Sequence, residues 1–365
     1  MSTMSGGALP RIGVIGCGNI SGIYLTNLTG MFSKRVKVTA LTDLIPERAH
    51  NASGKYKAPY IKNTEDLINS PDVDIILNIT EPFNHYAAAL AAVKAGKHFY
   101  GEKPLCAKRE EAGEILKIAK EKNLRIGNAP DTFLGAGIQT CRKLLDDGWI
   151  GNPVAATAFM VNHGHEHWHP GPEFYYKNGG GPMFDMGPYY LTALVNLLGP
   201  VTRICGSAKK SFDARTITSE PLNGAVINVD VPTHITGILD FECGATATVI
   251  TSFDVYSHTL PCIEIYGSKG TLRVPDPNTF GGPVFVKRYN DNDWSEVPLL
   301  GSYPENSRGL GLVDMAEAAA GNRPHRASGE LAYHVLEIMH GFHDASASGV
   351  YYNVKSKCDR PLPLE

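Results

Sequence analysis

The chain has 365 residues, 43% of them hydrophobic, enough for two domains with cores of their own. Its 34 basic and 37 acidic residues leave a formal net charge of -3 without a long run of either sign, which excludes the electrostatics of a nucleic-acid or anionic-membrane binder. Seven cysteines stand singly with no CxxC pair, against a disulfide framework or zinc ribbon, and no segment approaches the roughly 18 consecutive apolar residues of a membrane span.

Residues 1–10 are small and polar and lack the basic start and apolar stretch of a secretory signal, which with the cysteine usage points to the cytoplasm. From 11 to about 128, short apolar runs alternate with helix-like stretches, the pattern of a parallel sheet covered on both faces. It predicts strands over 11–15, 36–42, 75–80, 98–100 and 124–127, with crossover helices over 87–95 and 109–122. After a helix over 137–146 the character changes. Runs at 154–161, 201–206, 233–241, 245–253 and 262–266 alternate or stay apolar, with turns at 242–244 and 267–270, and predict a largely antiparallel sheet. Residues 311–319 and 330–346 return to helix, one of them expected to pack back on the first lobe. The fold class is therefore α/β, a doubly wound parallel sheet over 1–128, followed by an α+β domain over 129–365.

Directly after the first strand comes Gly16-Cys17-Gly18-Asn19-Ile20-Ser21, a GxGxx(G/A) fingerprint with serine in the last place. Glycines at 16 and 18 let the backbone turn tightly and approach a pyrophosphate, whose charge then sits on the N-terminus of the next helix. Asp43 ends the second strand 25 residues beyond Gly18. There it either accepts the adenine-ribose hydroxyls, favouring NAD over NADP by repelling a 2′-phosphate, or caps the helix starting near Pro46.

Further along, Thr80-Glu81-Pro82-Phe83-Asn84-His85 ends one strand, and a segment from Ala95-Gly96-Lys97-His98 to Glu102-Lys103-Pro104 spans the next. Together with the glycine turn these closely resemble the Gfo/Idh/MocA oxidoreductase family, whose TPxxxH and EKP segments line the nicotinamide. Gly179-Gly180-Gly181 through Asp185 to Gly187-Pro188-Tyr189 resembles the family's GGGxxxDxGxH segment. The resemblance implies a Rossmann domain followed by an open, mostly antiparallel sheet, often buried in homodimers or homotetramers. It also implies cofactor contacts from Gly16, Gly18, Asn19, Ile20, Asp43, Thr80, Pro82, His85, Glu102 and Lys103.

Hydride transfer from an alcohol needs a group to take the hydroxyl proton and others to hold the carbon near the nicotinamide. Lys103, at the edge where a parallel α/β sheet presents ligands, is the first candidate. The resemblance makes Asp185 the motif's acid, and the usual catalytic histidine corresponds to Tyr189, a departure shared by glucose-fructose oxidoreductase among other members. A phenol has an unperturbed pKa near 10 and needs a neighbour such as Lys103 or the oxidised cofactor to act as a base near neutrality. In an unbroken helix Asp185 and Tyr189 share a face; if Pro188 opens the helix, Asp185 lies in its entry loop.

His163, His165, His167 and His169 alternate directly after a predicted strand, and in extended backbone all four point the same way. Zinc is one reading, with Glu166 assisting, but there is no HExxH spacing and no metal is assigned. The other reading is a sugar-binding edge: His165 and His167 bond hydroxyls, Trp168 covers a pyranose ring, and one of the histidines takes over the base missing at Tyr189. Asp131, after the last strand of the first domain, either accepts hydrogen bonds from a substrate diol or closes an Asx turn. The sequence thus reads as an NAD-linked dehydrogenase or reductase of a sugar, glycoside or polyol. Its rivals are an NAD-dependent, redox-assisted glycoside-cleaving enzyme and a sugar or NAD sensor without turnover.

Overall fold

The computed structural model describes residues 8–364. Residues 1–7, on which the reading of a missing secretory signal mostly rests, lie outside them. The chain divides into two compact units: residues up to Leu134 with Glu305–Tyr333, and Gly135–Pro304 with His334 onward.

In the first unit β1 (Arg11–Ile15), β2 (Lys37–Thr42), β3 (Ile75–Asn78), β4 (His98–Gly101) and β5 (Ile126–Asn128) pair in the order β2-β1-β3-β4-β5, all parallel. The connections carry α1 (Ser21–Thr29), α2 (Pro46–Tyr56), α3 (Thr64–Asn69), α4 (His85–Lys94) and α5 (Arg109–Glu121). Neighbouring strand residues point to opposite faces, and Ile75, Ile76 and Leu77 are all buried, so both faces of the sheet are covered. The unbroken apolar runs in the sequence have this cause. Gly16, Asp43, Lys103 and Ala129 each follow within two residues of a strand, which sets them all at the carboxyl edge.

The chain continues through α6 (Ala136–Asp146), β6 (Pro153–Val161), α7 (Gly181–Asp185), α8 (Gly187–Leu198) and β7 (Val201–Lys209). A small ladder of β8 (Ala214–Thr216) and β9 (Val226–Asn228) precedes β10 (His234–Phe241), β11 (Thr246–Ser252), β12 (Ile263–Gly267), β13 (Gly270–Val274), β14 (Val284–Arg288) and β15 (Ser295–Val297). Then come α9 (Leu310–Ala320), α10 (Gly329–Ser348) and β16 (Tyr352–Asn353). The large sheet has nine strands in the order β15-β14-β13-β12-β6-β11-β10-β7-β16, antiparallel except where β6 meets β11. It extends beyond the strands read from the sequence by β13, β14 and β15 on one edge and β16 on the other. Phe342 on α10 is fully buried over Gly206 and Gly237, where an added Cβ would come within 3.0 and 2.6 Å of its ring.

The boundary differs from the one the sequence suggests at 128. Residues 129–134 and 305–333 fold with the first unit: Asn128 donates to the Ala327 carbonyl at 3.1 Å, and α9 packs against β5.

Candidate active site

At the carboxyl edge of the first sheet Gly16 takes φ +101°, and a Cβ there would lie 3.0 Å from the Ile79 carbonyl. Gly16 donates its N–H to the Thr42 carbonyl at 2.9 Å, which fastens the turn to β2. Nothing lies within 4 Å of the Cβ position of Gly18, and Ser21 N–H, the first of α1, closes on the Gly18 carbonyl at 3.1 Å. Asn19 and Ile20 are exposed beside it. Asp43 accepts from Cys17 N–H at 2.6 Å and from Ile45 N–H at 2.8 Å. These two bonds steady the glycine turn and the entry to α2, the second of them as the capping reading expected. Of the roughly four lone-pair positions of a carboxylate, two remain for further donors.

The turn bearing Lys103 is fixed from below. Glu102, 8% exposed, accepts from the Tyr24 hydroxyl at 2.7 Å and from Lys103 N–H at 2.9 Å. Burial and the Glu102 charge hold the Tyr24 phenol well above its ordinary pKa, so it stays a donor. His85 is 1% exposed, with Nδ1 at 2.6 Å from the Pro104 carbonyl and Nε2 at 3.0 Å from that of Thr80. Burial pushes its pKa down, and the ring, set between these two carbonyls, bridges the loop after β3 and the loop after β4. His85 and Glu102, read from the motifs as cofactor contacts, are both buried and both within hydrogen-bond distance of protein groups. Thr80 and Pro82 are half-buried in the loop above them, and the Thr80 hydroxyl donates to Asn78 Oδ1 at 2.9 Å.

Asp131 requires a correction. Its side chain is buried, and Oδ2 accepts from Gly309 N–H at 2.9 Å and Gly311 N–H at 3.0 Å, which caps the start of α9. Burial raises its pKa to about 6 against the two bonds that lower it. A carboxylate used this way is not presented to a substrate diol.

In the second unit the four histidines do not form a row. The backbone turns at 165–169, with Trp168 and His169 N–H groups both returning to the His165 carbonyl, so the side chains diverge. His163 stacks on Tyr256 at 3.5 Å; His167 is exposed; Trp168 is 55% exposed. His165 turns inward, and its Nε2 lies 3.1 Å from Asp185 Oδ2. Tyr175, Phe253 and Trp168 enclose its ring at centroid distances of 4.0, 4.7 and 5.3 Å. Glu166 is no metal ligand in waiting. It pairs with Arg215 at 2.6 Å and takes the Tyr176 hydroxyl, while Arg215 also reaches Asp254 at 2.9 Å and the His163 carbonyl at 2.7 Å. No group of three or more metal-ligating side chains comes together among the described residues.

The helix carrying the acidic motif is broken. Asp185 ends α7, Met186 N–H closes on the Pro182 carbonyl, and Pro188 sits in the first turn of α8, which its fixed φ and missing donor suit. Tyr189 follows in that first turn, 8% exposed. The partners the sequence reading missed are Tyr24, Arg215 and Asp254. None lies in a motif; Tyr24 and Arg215 are the donors that the buried Glu102 and Glu166 need, and Asp254 is a second acceptor for the arginine.

Residues 10–129 match the family model described as an oxidoreductase family with an NAD-binding Rossmann fold, and residues 138–273 match that of the GFO/IDH/MocA C-terminal domain. The chain belongs to the Gfo/Idh/MocA oxidoreductase family. Members similar to it include inositol 2-dehydrogenase 3 of Saccharopolyspora erythraea, 27% identical over 78% of this chain and 80% of that one. The dTDP-3,4-didehydro-2,6-dideoxy-alpha-D-glucose 3-reductase of Streptomyces violaceoruber is 26% identical over 88% and 90%. Levoglucosan dehydrogenase in complex with NADH and levoglucosan shares the fold at a TM-score of 0.81, with 18% identity over 95% of this chain and all of that one.

The NAD implied by membership of the Gfo/Idh/MocA family fits the residues present. The open approach over Gly18, the N-terminus of α1 and the spare acceptor positions of Asp43 suit a pyrophosphate and an adjoining ribose. In the same chain no helix among the described residues is long and apolar enough to cross a membrane.

Proposed function

We propose that this oxidoreductase acts on one hydroxyl-bearing carbon of a sugar, glycoside or polyol, with NAD preferred to NADP. The observation that carries the reading is Lys103, set at the carboxyl edge of the NAD-binding sheet on a turn pinned through Glu102 to Tyr24. The sugar and inositol substrates in the names of its relatives support the substrate class. Bound NAD supplies the hydride acceptor or donor. Lys103 offers its ammonium to the oxygen of the reacting carbon, where it favours the alkoxide that develops on oxidation. Asp185 and Tyr189 hold hydroxyls of the substrate, His167 adds a polar edge, and Trp168 lays an apolar face against the ring.

Asp43 underlies the preference for NAD, because its carboxylate repels a 2′-phosphate. The seven cysteines, all free, suit a reducing cytoplasm. Ile238, 39% exposed, lies with half-buried Phe159 and Ile250 on the outward side of the nine-stranded sheet, and this apolar face supports a homodimer or homotetramer. Light scattering that returned the mass of a single chain at micromolar concentration would remove that part of the reading.

The test is absorbance at 340 nm with NAD or NADP against free sugars, polyols and glycosides, with released aglycone assayed in parallel. Accumulating NADH is the expected result. Aglycone released only with NAD present, and no net NADH, would replace it with redox-assisted glycoside cleavage.

A further inference from the structure

Among the titratable groups of the second unit, one pair is built like an acid–base couple, and its histidine lies outside the family's motif. His165 and Asp185 come from a loop and a helix end 20 residues apart and meet at 3.1 Å between Nε2 and Oδ2. A carboxylate only accepts, so Nε2 carries the proton and, in the neutral ring, Nδ1 carries the lone pair. Nδ1 makes no hydrogen bond to the protein among the described residues. The ring cannot swing: three aromatic side chains enclose it, His165 N–H rests on the Tyr176 hydroxyl at 3.4 Å, and the next residue is clamped by Arg215. An imidazole held by a carboxylate at one nitrogen and unpaired at the other is the arrangement in which a histidine takes and returns protons.

Resting on the proposed function above, we propose that His165 is the catalytic acid–base residue, oriented by Asp185, in the place that the family's motif gives to a histidine at position 189. In the oxidation the substrate O–H bond breaks and its proton bonds to Nδ1. The carbon–oxygen π bond forms, and the electron pair of the carbon–hydrogen bond leaves as hydride to the NAD that the reaction already requires. The imidazolium then releases its proton to water; reduction runs the same steps backward. Tyr189 is left as a hydroxyl that binds substrate. The groups facing His165 are Asp185 on α7, His169 and Tyr175 in its own loop, and the Tyr176, Glu166 and Arg215 cluster behind the loop backbone.

The test compares His165→Gln, His165→Ala and Tyr189→Phe on the full chain. Glutamine keeps a donor toward Asp185 but has no basic lone pair, so a structural role survives it and a catalytic one does not. His165→Gln should melt as the wild type does and bind NADH with unchanged affinity by fluorescence, yet lose about 100-fold or more in kcat. Added imidazole should restore part of the rate of His165→Ala, and Tyr189→Phe should lose about tenfold or less. Independently of turnover, nitrogen-15 NMR of histidine-labelled protein should show His165 as the Nε2–H tautomer, and Asp185→Asn should lose that exclusive form. A His165→Gln rate within about threefold of wild type, or an Nδ1–H tautomer, overturns the assignment while leaving the dehydrogenase reading intact. No turnover of any sugar or polyol by the wild type overturns the dehydrogenase reading itself.

Discussion

Lys103 owes its place to atoms that are not its own. The Glu102 carboxylate takes the Lys103 N–H on one oxygen and the buried Tyr24 hydroxyl on the other, so the backbone under the ammonium is fixed before any ligand arrives. Removing the ammonium and removing its support should therefore differ. Lys103→Met is expected to lower kcat/KM by about 10²- to 10³-fold, the usual cost of a lost electrostatic donor, with NADH affinity held within about twofold. Tyr24→Phe strips a buried carboxylate of one of its two donors and should cost about 1–3 kcal/mol of stability in urea denaturation, with a smaller fall in rate. If Tyr24→Phe left stability untouched, Glu102 would not be the strut described. The two glycines of the fingerprint separate in the same way. Gly16→Ala meets the Ile79 carbonyl at 3.0 Å with φ at +101° and should lower stability by about 1–2 kcal/mol. Gly18→Ala meets nothing and should melt like the wild type, while its NADH dissociation constant rises by about tenfold or more.

Between residues and fold, the decisive element is the loop over 162–176. Its regular structure is limited to the turn at 165–169 and a 3-10 helix over Glu173–Tyr176, yet it holds His165 at Asp185 because Arg215 on the β8–β9 ladder binds Glu166, Asp254 and two backbone carbonyls at once. The side chains of Arg215, Glu166 and Asp254 are 5, 8 and 7% exposed, so no water replaces a lost partner. Arg215→Met leaves two buried carboxylates without their cation and is expected to cost about 3–5 kcal/mol. The loop should then become a site of limited proteolysis and KM for the sugar should rise; a protease-resistant variant with unchanged KM would show that the loop stands without the arginine.

For the molecule as a whole, Asp131 links pH to stability. It is raised to about 6 in the fold, against an ordinary value near 4, so between these the folded chain binds more protons than the unfolded one. Stability contributed at Asp131 is therefore greatest below about pH 4 and is lost as pH rises toward 6. Asp131→Asn keeps an oxygen for Gly309 and Gly311 N–H and does not titrate. The melting temperature of the wild type relative to this variant should fall from pH 4 to pH 6; a constant difference would mean that Asp131 is ionised throughout that range.

Local patterns carried much of this. Apolar runs marked the five parallel strands because both faces of that sheet are buried, and Gly16, Gly18, Lys103 and Asp185 stood out because a tight turn or a sheet edge needs those residues in a short span. At Pro188 the sequence left an unbroken helix and a new helix start both open, and the structure takes the second. What the chain could not announce was every contact whose partner lies far along it. The carboxylate of Asp131 serves N–H groups 178 and 180 residues away, Glu166 waits for an arginine 49 residues on, and β13, β14 and β15 are held only by register against their neighbours. Alternating histidines looked like a row because extended backbone would align them. The turn at 165–169, closed by its own hydrogen bonds and clamped by Arg215, sent one of them inward to Asp185. Sequence alone determined the family, the NAD-binding edge and the acid of the motif, since each is written in contiguous residues. Only tertiary structure decided which histidine that acid holds, because a hydrogen bond is fixed by position in space and not by spacing along a chain.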